Sequence, residues 1–260
     1  GGKKKSMNKL TIKHFPPLEY ACSEAVNTLC TNISFAGENV KKIMLTSCHA
    51  SEGKTFLAMN IMRTLARLGK TVVLVDADLR RSMIAAKYSL QFERENPVGL
   101  AHFLAGMVHE NEIIYETNIL GAYMIPVGRE VSNSLPLLVS PHFDELLSSL
   151  AKQVDYVIVD APPLGAIIDA AEIAKSCDGS LIVVSYDAVR RQELINVKEQ
   201  LEQSGCPILG TVLNMVKFDN YLSKKYYYKS YYSYGYDAYD APQAQQRRGE
   251  NKASRTKDRK

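Results

Sequence analysis

Short, almost continuous apolar runs recur along this chain, and segments of helical period follow them. The runs are Lys42-Ile-Met-Leu-Thr-Ser47, Thr71-Val-Val-Leu-Val-Asp76, Asp155-Tyr-Val-Ile-Val-Asp160, Ser180-Leu-Ile-Val-Val-Ser185 and a last one over 208–213. A strand with one wet face alternates polar and apolar residues, whereas a strand that is apolar throughout is covered on both faces. The expected fold class is therefore α/β, a mostly parallel sheet with helices on both faces. Helices are expected over 19–35, 54–68, 137–151, 167–176 and 190–203, with Gly69 closing the second, and a weaker strand over 123–127. Ligands of such sheets bind beyond the carboxyl ends of the strands. Asp76 and Asp160 end two of the runs and stand at that edge.

The 260 residues divide by composition. Residues 1–16 are an N-terminal segment, of which 1–6 precede the first methionine and are left out of the fold expectation. Residues 17–220 form the expected domain, long enough for a large core. Residues 221–260 lose periodicity and, apart from Leu222, carry no aliphatic framework, so they are expected to be disordered. Charge follows the same division: +3 over 1–6, −5 over 7–220 and +6 over 221–260, for a net +4. An acidic body argues against a nucleic-acid-binding core. The five cysteines are scattered and lack Cys-x-x-Cys spacing, so reduced thiols and no zinc site are expected. No apolar run approaches the roughly 18 residues that span a bilayer, and no signal-peptide pattern opens the chain. A cytoplasmic protein is expected, peripheral to the inner face of the membrane where a partner holds it there.

Ser47-Cys-His-Ala-Ser-Glu-Gly-Lys-Thr55 lies between an expected strand and an expected helix. Gly53-Lys54-Thr55 is the end of a Walker A motif. Backbone N–H groups and a helix N-terminus surround an anion there. Gly53 permits close approach, Lys54 neutralises the β- and γ-phosphates, and Thr55 offers a hydroxyl to Mg²⁺. Nucleotide contacts are expected from Cys48, His49, Ala50, Ser51, Glu52, Gly53, Lys54, Thr55 and Phe56. The tripeptide alone is also how an ordinary helix starts after a turn glycine. The strand before it and the helix after it favour the phosphate loop. The first glycine of the usual motif is replaced by Cys48, and Ala50 and Ser51 bring no glycine either.

Asp76-Ala-Asp78-Leu-Arg80 follows an apolar run, and residues two apart in extended chain share a face. Two such carboxylates can organise Mg²⁺ and accept a proton from an attacking hydroxyl. Either Asp76 or Asp78 fits the base; their order in the chain does not separate them. Asp160 ends a Walker B pattern and is expected, with Thr55 and Asp76, around Mg²⁺. The following Ala-Pro-Pro breaks the chain where a loop is needed. Lys54, Asp76 and Asp78 are the expected catalytic residues. Asn214 ends the last run and by itself reads as a turn residue; a resemblance to the P-loop ATPases would imply that it faces adenine.

Together these motifs resemble the bacterial tyrosine kinases, P-loop proteins related to the MinD/ParA ATPases. Val72-Val-Leu-Val-Asp-Ala-Asp-Leu-Arg-Arg81 is similar to the family's second Walker motif, and Tyr156-Val-Ile-Val-Asp-Ala-Pro-Pro163 to its Walker B. Gly99-Leu-Ala-His-Phe-Leu-Ala-Gly106 and Leu209-Gly-Thr-Val-Leu-Asn214 also resemble family segments. The resemblance implies ATP and Mg²⁺ as ligands and autophosphorylation of tail tyrosines on a neighbouring subunit. It implies ring-like homo-oligomers, a transmembrane polysaccharide co-polymerase as activator, a cognate tyrosine phosphatase, and control of capsular or exopolysaccharide synthesis and export. The family's Glu-x-x-Arg-x-x-Arg reads here as Glu24, Asn27 and Cys30, without either arginine. Its Pro-Gly within the phosphate loop reads as Ala50-Ser51.

Tyr221 to Tyr239 contains nine tyrosines in nineteen residues. Three uses compete: phosphate acceptors, single-stranded nucleic-acid stacking beside Lys224, Lys225 and Lys229, and a sticky low-complexity tail. Behind an ATP site the first is favoured, with Tyr226, Tyr227, Tyr228, Tyr231, Tyr232, Tyr234, Tyr236 and Tyr239 as acceptors. Each phosphate adds about −1.5 to −2 charges, so a few reverse the +6 of the tail. The alternatives for the whole chain are a MinD/ParA-like ATPase and a weakened nucleotide-binding regulatory subunit. The former usually carries lysine five residues before the loop lysine, where this chain has His49.

Overall fold

The apolar runs form the centre of one sheet. Its strands are β1 (Asn8–Ile12), β2 (Lys42–Ser47), β3 (Val72–Asp76), β4 (Leu90–Phe92), β5 (Tyr115–Glu116), β6 (Ala122–Ile125), β7 (Tyr156–Asp160), β8 (Gly179–Ser185) and β9 (Ile208–Asn214). Their spatial order is β4-β1-β5-β6-β3-β7-β2-β8-β9. From β6 to β9 all neighbours are parallel; the far side is mixed, with β1 antiparallel to β4 and β5 antiparallel to β6. The helices are α1 (Tyr20–Phe35), α2 (Lys54–Arg67), α3 (Ile84–Lys87), α4 (Leu100–Leu104), α5 (Glu110–Ile113), α6 (Leu135–Leu138), α7 (Pro141–Gln153), α8 (Asp169–Lys175) and α9 (Arg191–Ser204). This is a computed structural model, and it describes residues 7–165 and 168–216. The chain divides into two units, Gly1–Met215 and Val216–Lys260. The tail, with its eight expected acceptor tyrosines, lies outside the described residues.

Two hydrophobic cores explain why the strands are apolar throughout. Successive side chains of a strand point to opposite faces. Val72 and Leu74 of β3 pack with α1 and α2, through Val26, Ile33, Leu57 and Ile61. Val73 and Val75 pack on the other face with α4, α7 and α8, through Leu100, Leu147 and Ile173. The same split separates Ile158 from Val157 and Val159 on β7. Each fully buried aliphatic side chain contributes about 1.5–3 kcal/mol, so both layers are tightly fixed to the sheet.

Most expected elements appear within one or two residues. Gly69 closes the second helix at φ +80°, and the N–H of Lys70 reaches back to the Leu65 carbonyl over 3.1 Å. The expected helix over 137–151 is instead two helices, α6 and α7. Pro141 starts α7, and a residue before proline is driven out of the helical region. Ser140 accordingly sits at φ −65°, ψ 148°. The strand expected over 123–127 ends at Ile125 because Pro126 has no N–H to continue the ladder. The helix expected from 167 starts at Asp169, with Ile167 outside the described residues. The short strands β1, β4 and β5 were not expected from the residue pattern.

Candidate functional site

The loop between β2 and α2 is held from inside by Glu52. That residue is buried. Its Oε2 accepts the His49 N–H over 2.9 Å, and its Oε1 accepts the Ser185 N–H over 3.2 Å. Its carbonyl accepts from Asn214 Nδ2 over 2.9 Å. One residue thus ties the loop to itself, to the end of β8 and to the end of β9. Gly53 sits at φ +90°, and a Cβ there would lie 2.0 Å from Asn214 Nδ2. Both facts require glycine. Ser51 also lies in the left-handed region, at φ +65°, where a side chain is disfavoured.

The remaining loop residues are placed as follows. Lys54 is buried at the start of α2, Thr55 and Phe56 are half-buried, and Ala50 is exposed. Cys48 contributes only backbone, because its side chain is buried in the core and burial pushes its thiol up to about 11. His49 is exposed, and its Nε2 lies 3.4 Å from Glu193 Oε2. The loop after β7 closes against this segment: a Cβ on Gly165 would lie 2.3 Å from the Cys48 carbonyl oxygen.

The sheet order makes β3 and β7 neighbours, and their register sets Asp76 beside Asp160. Both are buried. Thr55 Oγ1 donates to Asp160 Oδ2 over 2.7 Å, and the Ser82 hydroxyl donates to Asp76 Oδ2. The other oxygen of each carboxylate, Asp76 Oδ1 and Asp160 Oδ1, is buried with no hydrogen-bond partner among the described residues. Burial, and then the neighbouring Asp160 charge, push Asp76 well above the usual carboxyl range. Burial raises Asp160 to about 6 despite Lys54 and the Thr55 hydroxyl, which pull it down. Asp78 is half-exposed and accepts the Arg81 N–H over 3.1 Å; its charge pushes both of the others up, while its backbone N–H pulls Asp76 down. Lys54, Thr55, Asp76, Asp78 and Asp160 therefore meet at one rim, with Glu52, Gly53 and Asn214 bracing the loop beside them.

Two unpartnered carboxylate oxygens and one hydroxyl are a hard-oxygen donor set. They are too few to enclose a cation alone, which suits Mg²⁺, an ion that keeps waters and takes phosphate oxygens. Cavities of about 840 and 720 Å³ lie elsewhere, and neither is lined by a loop residue. The chemistry of the donors, not cavity size, marks this rim. The sequence did not reveal Glu52 as a brace, nor Ser82 and Ser185 as partners. The Ser185 contact depends on strand order, whereas the Ser82 contact spans six residues and depends on how the turn after β3 folds back on Asp76.

A strand-to-helix phosphate loop beside paired strand-end carboxylates on a parallel sheet defines the P-loop nucleotide-binding class. A family model described as an AAA domain matches residues 40–204. Tyrosine-protein kinase CpsD of Streptococcus pneumoniae is 37% identical over 212 residues, covering 82% of this chain and 91% of that protein. The kinase domain of the Escherichia coli tyrosine kinase ETK matches with a TM-score of 0.72 at 31% identity, covering 76% of this chain and 77% of that one. The chain belongs to the bacterial tyrosine kinase family. MinD of Pyrococcus horikoshii, complexed with Mg-ADP, shares the fold at 22% identity, with a TM-score of 0.55 over 66% of this chain and 69% of its own.

Proposed function

We propose that this chain is an ATP-dependent protein-tyrosine autokinase that phosphorylates its own tail and thereby regulates capsular or exopolysaccharide synthesis and export. The observation that carries the catalytic part is the buried Asp76–Asp160 pair with Thr55 bonded to Asp160. Phosphoryl transfer needs placement and charge neutralisation more than covalent chemistry. The loop backbone, the N-terminus of α2 and Lys54 hold the β- and γ-phosphates. Asp76, Asp160 and Thr55 hold Mg²⁺, which supplies further neutralisation of phosphate charge when bound. Asp78 is the better base of the two candidates, because it is half-exposed while Asp76 is buried and bonded by Ser82. It takes the tyrosine hydroxyl proton as the phenolate oxygen bonds the γ-phosphorus and ADP leaves. Asn214 braces the loop through its Nδ2 and leaves its amide oxygen for an adenine amine.

The acceptors are Tyr226, Tyr227, Tyr228, Tyr231, Tyr232, Tyr234, Tyr236 and Tyr239 on a neighbouring copy. No helix among the described residues is long and apolar enough to cross a membrane, which fits a cytoplasmic subunit recruited by a transmembrane activator. A tyrosine phosphatase would reset the tail. Subunit contact through α1 cannot use the family's arginine pair: Asn27 donates to Glu24 over 3.1 Å, and Cys30 is buried in the core.

The test is incubation with radiolabelled ATP and Mg²⁺, followed by phosphotyrosine mapping. Labelled tail tyrosines are expected, with none in Lys54→Met and with nucleotide binding retained when every tail tyrosine becomes Phe. Release of free phosphate without phosphotyrosine would replace the kinase with a positioning-type ATPase. Nucleotide binding with neither product would make the chain a regulatory subunit.

A further inference from the structure

Arg80 stands two residues beyond Asp78, yet its guanidinium does not serve the phosphate rim. Its Nε donates to Asp169 Oδ2 over 2.8 Å and its Nη2 to Asp169 Oδ1 over 3.3 Å. Its Nη1 donates to the Ser132 carbonyl over 2.9 Å. Asp169 is buried, and the Ser134 hydroxyl, itself buried, donates to the same Oδ2. The N–H of Val131 completes the knot by donating to the Leu79 carbonyl over 2.8 Å. Three separate pieces of chain converge here: the turn after β3, the segment leading into α6, and the first turn of α8.

The two-pronged Arg80–Asp169 geometry fixes orientation as well as distance. The turn it clamps is short. It carries Asp76 at its start, Asp78 in its middle and Ser82, the partner of Asp76, at its end. The Ala77 N–H ties the start of that turn to the Asp160 carbonyl over 2.9 Å, and Leu79 and Arg80 tie its middle to the segment before α6 and to α8. The hydrogen bond that Asp78 accepts from the Arg81 N–H is internal to the turn and cannot anchor it.

We infer that Arg80, clamped by Asp169 and Ser134, is a positioning residue that sets the aim of Asp78 and Asp76 toward the phosphate loop. All three of its guanidinium nitrogens are engaged by Asp169 and the Ser132 carbonyl. The inference rests on the proposed function only for the reaction in which turnover is measured. Supporting partners of this kind alter activity or metal affinity by about tenfold to a hundredfold when removed, through the groups they orient.

The experiment uses the full chain and the variants Arg80→Ala, Arg80→Lys, Asp169→Asn, Ser134→Ala and the double Arg80→Ala/Asp169→Asn. Phosphotyrosine formation is followed against ATP concentration, and ADP binding is titrated with and without Mg²⁺. Arg80→Ala and Asp169→Asn are each expected to lower kcat about tenfold to a hundredfold at saturating ATP and Mg²⁺. The double variant is expected to lose no more than the worse single one, because both remove the same clamp. Arg80→Lys, which keeps the charge but lacks the fork, is expected to fall between wild type and Arg80→Ala. ADP affinity without Mg²⁺ is expected to hold, while the gain conferred by Mg²⁺ shrinks. If Arg80→Ala melts out, Ser134→Ala decides, since it removes one hydroxyl from the same clamp. Unchanged kcat in a folded variant, multiplicative losses in the double, or equal damage to ADP binding without Mg²⁺ would overturn the inference. A wild-type chain that makes no phosphotyrosine refutes the kinase proposal instead, and the clamp is then judged on phosphate release or on the Mg²⁺ gain in ADP binding.

Discussion

Glu52→Gln isolates the brace behind the phosphate loop. The substitution keeps shape and removes one acceptor. At present two backbone N–H groups, from His49 and Ser185, point at the two oxygens of one carboxylate over 2.9 and 3.2 Å. Glutamine brings one oxygen and one NH₂, so whichever N–H meets the NH₂ loses its acceptor and faces another donor. A hydrogen bond to a charged group is worth about 1.5–3 kcal/mol, so the expected loss is about 2 kcal/mol. Where that loss appears depends on the free loop. If the loop keeps its shape without ligand, the folded state bears the cost, and Tm falls by about 4–8 °C for a domain of this size. If the loop relaxes, stability is spared and the nucleotide must restore the loop, so affinity falls about 30-fold. Melting curves and titration with MgADP, run on the same preparation, measure both. A variant with wild-type Tm and wild-type Kd would refute the brace outright, because no third place exists for the cost to go.

Further predictions use other features of the rim. Ser51→Gly releases a side chain held at φ +65°, relieving about 1 kcal/mol of left-handed strain and raising Tm by about 2–4 °C in a thermal melt. Gly165→Ala places a methyl 2.3 Å from the Cys48 carbonyl, so MgADP titration is expected to show weakened binding while the far side of the sheet keeps its amide-exchange protection. The pH dependence follows from Asp160, whose carboxyl is raised mainly by burial from 3.8 to about 6. The folded chain then binds this proton more tightly than the unfolded one, so its contribution to metal-free stability is lost as pH rises from about 4 to about 6. Melts of wild type and Asp160→Asn across that window are expected to differ in slope accordingly. Mg²⁺ competes with the same proton, so the Mg²⁺ gain in ADP affinity is expected to grow as pH rises through about 6.

What the sequence disclosed tracks how local the cause was. The central strands and the start of α2 were legible because burial on both faces leaves no polar alternation to misread. The break between α6 and α7 was just as local, and Pro141 announced it; the apolar positions around it concealed the interruption. The strands β1, β4 and β5 span five residues or fewer, and β1 finds both its partners, β4 and β5, far along the chain. Nothing in so short a run distinguishes a paired edge from a loop. At the site, Lys54, Thr55, Asp76, Asp78 and Asp160 were legible as residue types in a known spacing. Their supports were not: Ser185 lies 133 residues from Glu52, and Asp169 lies 89 residues from Arg80. Such pairs exist only once strand order has been decided, and strand order is the least local property of the fold.

Strand order also explains why the two buried carboxylates belong together. Asp76 and Asp160 are lateral partners because β3 and β7 are adjacent, and each ends a strand at the same level. Out of water carboxylates resist ionisation: burial and then the Asp160 charge displace Asp76 upward, and burial, with a smaller push from Asp78, displaces Asp160 upward. A fold selected for stability alone would place apolar residues there, as it does one step earlier at Val75 and Val159. The Ser82 and Thr55 hydroxyls satisfy one oxygen of each and leave the other pair of oxygens unpartnered. That is a half-satisfied arrangement, unfavourable without a cation and favourable with one. The proposed Mg²⁺ therefore binds where the metal-free chain leaves two buried carboxylates half-satisfied. Asp76→Asn or Asp160→Asn should accordingly raise Tm without ligand while abolishing the Mg²⁺ gain in nucleotide binding. Destabilisation by both substitutions would mean that the pair is structural, and that the cation must be sought elsewhere.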